Sequence, residues 1–375
     1  MYQDNGTLIT EPGFIKAVQV TAGITSILST LGASLIIFIY IAFRNLRTTA
    51  RQLLVSLSIA DIIVAISHFV GLFANFKRFI YQYNNETWNT STTDPLCITQ
   101  AAFSMFGTLA SFLLSLAIGV YLVGILVWKK PRSWKKLFPI FYIICWGLPA
   151  IVVIPNLAKR LFGFALGANI GWCFIAQQVD SSNSDYVDYV ITEYLSYEIW
   201  VCIVFIALPV LYLTAFIYIR CKRQRNNYEN ISSSSLPQGG DLKLLFVPVV
   251  FLLLRIWSTV LDNIVYHTTD EETWLYYLNS PGIAALVIIA GIGDNAQGLV
   301  NAILFCALTK QVRQQLFSKQ YYVNVCGRHN IQPISAVDEN TQCSNDRHFY
   351  DNKSSSYAPS VQFVASHSSA SITIT

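Results

Sequence analysis

Charge is what this 375-residue chain has least of: Asp, Glu, Lys and Arg together make up 12% of it, about half of the roughly 25% usual in soluble domains. That scarcity excludes an ordinary water-soluble domain. Histidine is also sparse, at five residues, and only His68 and His267 lie in or beside apolar segments. A zinc hydrolase set in a membrane needs several ligands near one face, so that class is excluded too. No phosphate-binding glycine loop and no paired nucleophile and base are visible. Early and late apolar segments show no self-similarity, which argues against the internal repeats of many transporters. The eight cysteines do not form a disulfide framework, because Cys145, Cys202 and Cys306 fall inside apolar stretches, where a small buried hydrophobe is the ordinary role. No cofactor, metal or nucleic-acid partner is implied, and nothing points to an enzyme. Residues 1–17 lack an apolar core behind a basic start, so the first apolar stretch is expected to act as its own insertion signal.

What the chain has is hydrophobic length. Apolar residues reach 53% and the mean hydropathy is +0.45. Seven stretches, Val18–Phe43, Gln52–Ala74, Ile98–Trp128, Leu137–Ile154, Tyr194–Ile219, Leu244–His267 and Ala284–Ala307, approach or exceed the roughly 20 residues needed to cross hydrocarbon as a helix. The expected fold is an all-α membrane protein, a seven-helix bundle over 18–307. An extracellular N-terminus, 1–17, precedes it. A short amphipathic membrane-surface helix, 308–326, and a disordered cytoplasmic tail, 327–375, follow it.

Basic residues alternate between connectors. One set carries Arg44, Arg47 and Arg51, then Lys129, Lys130, Arg132, Lys135 and Lys136, then Arg220, Lys222, Arg223, Arg225 and Lys243. The other set carries only Lys77, Arg78, Lys159 and Arg160. The positive-inside rule therefore puts the N-terminus outside and the C-terminus in the cytosol. The basic inner surface has two readings, a cradle for a cytosolic partner or the topology rule alone.

Orientation sorts the remaining features. Asn5, Asn85 and Asn89 head glycosylation tripeptides on the outer side, where the modification can occur. Cys97 and Cys173 are the two cysteines on the oxidising face. A bridge between them closes a ring of roughly 76 residues, worth about 4 kcal/mol in the chain-entropy model. Cys326 follows an amphipathic stretch, Thr309–Tyr322, and is either a palmitoylation site or a free thiol. Beyond Gly327 the chain is rich in Ser and Thr and too poor in apolar residues to form a core. Phosphorylation would make it an acidic docking strip; a passive tail is the alternative.

Ionisable residues inside spans are costly unless partnered. Asp61, Arg255 and Asp294 sit roughly 14–16 Å from the nearer span end at a rise of about 1.5 Å per residue, which is mid-membrane. Arg255 is expected to be compensated by Asp294, with Asp61 a further candidate, and Asn295 and Asn301 add polar groups. Either this is a static pair or it is a switch whose partners rearrange. Gly291, Gly293 and Gly298 are expected to loosen the helix there. Nearer the outer ends, Tyr197, Glu198, Trp257, Asp262 and Tyr266 form a candidate pocket for a cationic or amphipathic ligand. A solvated rim with interfacial aromatics is the alternative. The segment 284–307 contains no lysine, which excludes a retinal Schiff base.

LSIAD at 57–61 resembles the span-two motif of G-protein-coupled receptors. CWGLP (145–149), GWCFI (171–175), LRIWSTV (254–260) and GIGDNAQGLVNAILF (291–305) resemble an orphan group of that family, one distantly similar to secretin-type and cyclic-AMP-type receptors. The resemblance runs from the first span through the membrane-surface helix. It implies the Cys97–Cys173 bridge, a multi-pass plasma-membrane location with the ciliary membrane open, and an inner face that activates a heterotrimeric G protein. Gq with phospholipase C is the first class to test, and a phosphorylated tail would bind arrestin. The rhodopsin-like locks do not carry over: span three ends in AIGVYLVGILVW without their acidic–arginine pair, and span seven lacks their proline–tyrosine motif. The alternative is a transporter or channel that uses the midplane charges.

Overall fold

A computed structural model describes residues 12–74, 94–128, 131–164, 172–175, 191–226, 246–267, 280–309 and 312–314. Six long helices and one broken pair run through them: α1 Pro12–Ala42, α2 Thr49–Ala74, α3 Pro95–Trp128, α4 Pro131–Ala158, α5 Ile199–Asn226, α6 Phe246–His267, and the pair α7 Pro281–Asn295 and α8 Gln297–Leu308. Six are long and apolar enough to cross a membrane alone, and α7 with α8, bent by 56° at the break, makes a seventh span. All seven expected spans are present. Lipid offers no hydrogen-bond partner to a peptide group, so an apolar segment crossing it closes its own i→i−4 ladder. The helices run on through the internal prolines Pro139, Pro149, Pro155 and Pro209, although each lacks the N–H for its own rung of the ladder.

The bundle is arranged around α3, which touches α2, α4, α5 and α6. One core joins Leu53, Leu54 and Leu57 of α2 to Leu114 and Ile118 of α3 and Phe305 of α8. A second joins Leu109 and Phe112 of α3 to Val201, Val204 and Leu208 of α5 and Phe251 of α6. The faces turned away from these cores are apolar as well: Ile143, Ile151 and Ile154 on α4, and Ile206, Val210 and Leu213 on α5, are exposed, as lipid contact requires.

Helix α1 lies against both halves of the seventh span, and small residues set the distance. A Cβ on Gly298 would stand 2.6 Å from the Ser29 carbonyl oxygen, and one on Gly32 would stand 2.8 Å from Leu299 Cα. Without a hydrophobic drive between helices in lipid, such close backbone contact supplies the attraction. The same holds between α6 and α7, where a Cβ on Gly293 would collide with the Leu254 carbonyl oxygen. Gly293 and Gly298 therefore serve close packing, and they flank the 56° break in the stretch where a loosened helix is expected.

Two short strands, β1 Phe162–Phe164 and β2 Cys173–Ile175, pair antiparallel with Phe162 opposite Ile175. They add a small ribbon to a fold read from sequence as wholly helical. The Cys97–Cys173 disulfide is formed, with the Cα atoms 5.5 Å apart, and ties β2 to the first turns of α3. The Cys173 amide also donates to Gln100 Oε1 at 2.8 Å. Of the expected membrane-surface helix, 308–326, Leu308 ends α8, Thr309 caps it, and 312–314 is also described. That last stretch is helical, with Val312 buried and Arg313 and Gln314 exposed. Asn5, Asn85, Asn89, Lys129, Lys130, Cys326 and the tail lie outside the described residues.

Candidate functional site

Among the described residues, three hydrogen-bonded groups of polar side chains meet at the seventh span. In the first, Arg255 of α6 donates from Nη1 to Asp294 Oδ1 of α7 at 2.9 Å, and the Ser258 hydroxyl donates to the same oxygen at 2.9 Å. The Arg255 guanidinium also lies over the Phe112 ring, 5.4 Å from its centroid. Helix geometry makes this possible: Arg255 and Ser258 are three residues apart and so share one face of α6. Gly293, next to Asp294, lets the two backbones close in.

The second group centres on Asp61 of α2. Its Oδ1 accepts from Ser111 Oγ of α3 at 3.1 Å and its Oδ2 from Asn301 Nδ2 of α8 at 3.0 Å. Asp61 feels the Arg255 charge, as expected, without a hydrogen bond to it. Its partners are neutral donors, and Asn301 belongs to its group rather than to the ion pair.

The third group is centred on Asn295 and His68. Asn295 Nδ2 donates back to the Gly291 carbonyl at 2.7 Å, which turns its Oδ1 toward α1 and α2. There Oδ1 meets Ser26 Oγ at 2.9 Å and His68 Nδ1 at 3.1 Å. A carbonyl oxygen only accepts, so His68 Nδ1 carries a proton and donates. His68 Nε2 lies 2.7 Å from Ser104 Oγ of α3. The imidazole stacks on Trp172, with ring centroids 4.5 Å apart and planes 7° apart. Along the chain, His68 counts only toward a histidine set too small for zinc, and Trp172 appears only within the GWCFI motif. A histidine well inside an apolar span was the available signal for the first. No signal along the chain joins it to Trp172.

The break in the seventh span falls among these groups. Ala296 closes α7 by donating its N–H to Ile292 O at 2.8 Å. The first N–H groups of α8 then have no partner in their own helix. One of them, Gly298 N, donates to Ser29 Oγ of α1 at 2.9 Å. A hydroxyl from a neighbouring helix thus caps a helix start that lipid could not satisfy.

A cavity of about 20 Å³ opens at the end of the bundle that carries the ribbon, enough for about one water molecule. Its walls include the carboxylates Glu193, Glu198, Asp262 and Asp294, the single cation Arg255, and the rings of His68, Trp172, Phe174 and Tyr197. Tyr197 and Glu198 arrive on a π-helical turn, Tyr194–Glu198, that leads into α5. Trp257 is corrected: it is 44% exposed. It belongs to the stripe Leu253, Ile256, Trp257 and Val260, whose spacing puts all four on the side of α6 away from the bundle. Tyr266 lies in α6, and Arg132, Lys222 and Arg223 lie in α4 and α5, each placed by its backbone alone. Arg220 is exposed, with its guanidinium 5.0 Å from the Phe216 ring centroid.

A bundle of seven spans, a disulfide from the third span to the following ribbon, and buried polar pairs between spans define a membrane receptor. The family model described as 7 transmembrane receptor (Secretin family) matches residues 15–270. G-protein coupled receptor 157 of Mus musculus is 31% identical over 302 residues, covering 78% of this chain and 82% of that protein. The vasoactive intestinal polypeptide receptor of Carassius auratus is 26% identical over 324 residues, covering 85% of this chain and 62% of that protein. Among solved structures, squid rhodopsin has the same fold, with a TM-score of 0.57 at 14% identity, covering 84% of this chain and 87% of that chain. The chain belongs to the secretin family of seven-transmembrane receptors. It is therefore a G-protein-coupled receptor in a lipid bilayer, which leaves the transporter or channel alternative without support.

Proposed function

We propose that the receptor is held at rest by the Arg255–Asp294 pair and passes its signal to a G protein when α6 and α7 part. One observation carries this: a buried guanidinium is neutralised across two helices at 2.9 Å, two residues from a 56° break in the span that supplies the carboxylate. A charge pair beside a discontinuity has a second arrangement available when the broken span rebends, which a pair between two straight helices lacks.

The N-terminus faces outward and the C-terminus the cytosol at the plasma membrane, on the alternation of basic connectors. The G protein meets the face bearing Lys129, Lys130, Arg132, Arg220, Lys222 and Arg223, and the first class to test is Gq with phospholipase C. Arrestin binds the phosphorylated tail, Cys326 carries a palmitoyl group, and Asn5, Asn85 and Asn89 carry glycans. The ligand is cationic or amphipathic: Glu193, Glu198 and Asp262 offer acceptor oxygens, and Phe174 and Tyr197 offer ring faces, to a positively charged group. The present size of the cavity requires α5 and α6 to separate for entry.

The test is a G-protein-dissociation panel on the expressed receptor without added ligand, comparing the natural chain with Arg255→Ala. The variant is expected to raise dissociation of at least one G protein at matched surface level. If every G protein is silent toward both, or Arg255→Ala leaves the response unchanged, the resting-pair reading is wrong.

A further inference from the structure

Trp172 is the residue of this fold whose position the receptor reading leaves unexplained. It stands beside the disulfide cysteine on the ribbon, yet its side chain is not on the surface: only 6% of the residue is exposed. It is packed with Ala22 of α1 and Leu72 of α2 in a small core of its own. Three features show that the bundle is shaped to receive it. Gly71 of α2 faces the Trp172 Cβ so closely that a methyl group on the glycine would stand 2.8 Å from it. Gly291 of α7 lies under the far edge of the indole, where an added Cβ would sit 4.0 Å from Cη2. His68 offers the indole a parallel aromatic face at 4.5 Å.

The position is also wired to the break. His68 is held edge-on by Asn295, the last residue of α7, and by Ser104 of α3. Asn295 in turn is bonded to Ser26 of α1. A ring lying on the imidazole therefore fixes the orientation of a side chain whose hydrogen bonds reach α3 and α7. Take the ring away and the imidazole keeps only its two edge hydrogen bonds, which weakens the hold on Asn295 at the edge of the discontinuity.

We propose that the face of His68 is a binding subsite for a flat aromatic ring, filled in the unliganded receptor by the chain's own Trp172. The indole is a built-in ligand, delivered by the ribbon and kept at hand by the Cys97–Cys173 bond, and its stacking favours the resting arrangement. An incoming ligand of indole-like chemistry takes the same place by displacing it. The inference rests on the proposed resting pair in one respect only, that ligand-free dissociation reports departure from this arrangement.

The experiment uses the full-length receptor at matched surface level, with ligand-free G-protein dissociation as the readout. The variants are Trp172→Ala, Trp172→Leu, Trp172→Phe and, as reference, Arg255→Ala. Leucine keeps most of the volume without a π face and phenylalanine keeps the face. Trp172→Leu is expected to raise dissociation about threefold to tenfold, the shift that loss of one aromatic contact makes in a two-state equilibrium, and Trp172→Phe to stay near the natural level. Free indole added to Trp172→Ala is expected to fill the vacated place and return the signal toward the natural level, while leaving the natural chain unchanged. Should Trp172→Ala fail to reach the surface, the leucine and phenylalanine pair still decides. Equal behaviour of Leu and Phe, or indole acting alike on the natural chain and Trp172→Ala, overturns the subsite. If Arg255→Ala raises the signal and no Trp172 variant does, the subsite alone falls. If Trp172→Leu raises it and Arg255→Ala does not, the subsite stands and the resting pair falls.

Discussion

Replacing Asp294 with alanine strands a guanidinium whose side chain is 4% exposed. The guanidinium keeps the Phe112 ring at 5.4 Å but loses its counter-charge, and Ser258 loses one of its two acceptors. Removing one partner of a buried ion pair costs about 3–5 kcal/mol, most of it the desolvation of the charge left behind. Replacing Arg255 with methionine costs less, about 2 kcal/mol, since methionine retains much of the apolar stem and Asp294, 11% exposed at its side chain, keeps its Ser258 donor. The double variant leaves no charge to compensate and is expected near the cost of the milder single change. The coupling is then about 3–5 kcal/mol, more than a hundredfold in an unfolding equilibrium. The assay is unfolding of the purified receptor in detergent, followed by tryptophan fluorescence for all four members of the cycle. Additivity of the two single changes to within about 0.5 kcal/mol refutes the claim that these residues stabilise the bundle as a pair.

Further outcomes follow from the packing. Gly298→Ala is expected to lower detergent stability by about 1–3 kcal/mol, since the new methyl must push the Ser29 carbonyl away; a neutral result in thermal unfolding would mean that α1 and α8 slide apart freely. Cys97→Ser is expected to lose up to about 4 kcal/mol of the ring-closure contribution and to reduce the surface fraction measured by antibody. Trp257→Ala, on the outward stripe of α6, is expected to change ligand-free G-protein dissociation by less than about twofold; a larger effect would return Trp257 to the pocket.

The spans were legible because transfer into hydrocarbon needs a minimum apolar length, and length is a property of consecutive residues. The rotation of each helix was less so. A helix bounded by lipid is apolar on its outer face as well as its inner one, so Trp257 reads the same whether it faces the bundle or the membrane. Arg255 and Asp294 could be paired from depth and opposite charge. Asp61 lies at similar depth, and only the azimuth of α2 turns it toward Ser111 and Asn301. The interruption at Ala296 carries no proline. Gly291, Gly293 and Gly298 around it are the signal along the chain, whereas the Ser29 hydroxyl that α1 offers across the gap is not visible there. The contact of His68 with Trp172 joins residues more than a hundred positions apart through a ribbon whose strands are three residues each.

Ser26 and Ser29 stand one helical turn apart on α1 and hold Asn295 and Gly298, one on each side of the break. The first helix is in effect a splint laid across a fracture. A joint tied along one edge hinges open on the opposite edge, so any straightening or further folding of the seventh span swings its pieces relative to α6 and leaves α1 as the fixed post. A single hydroxyl removed from that splint would alter the direction of the swing as well as its ease.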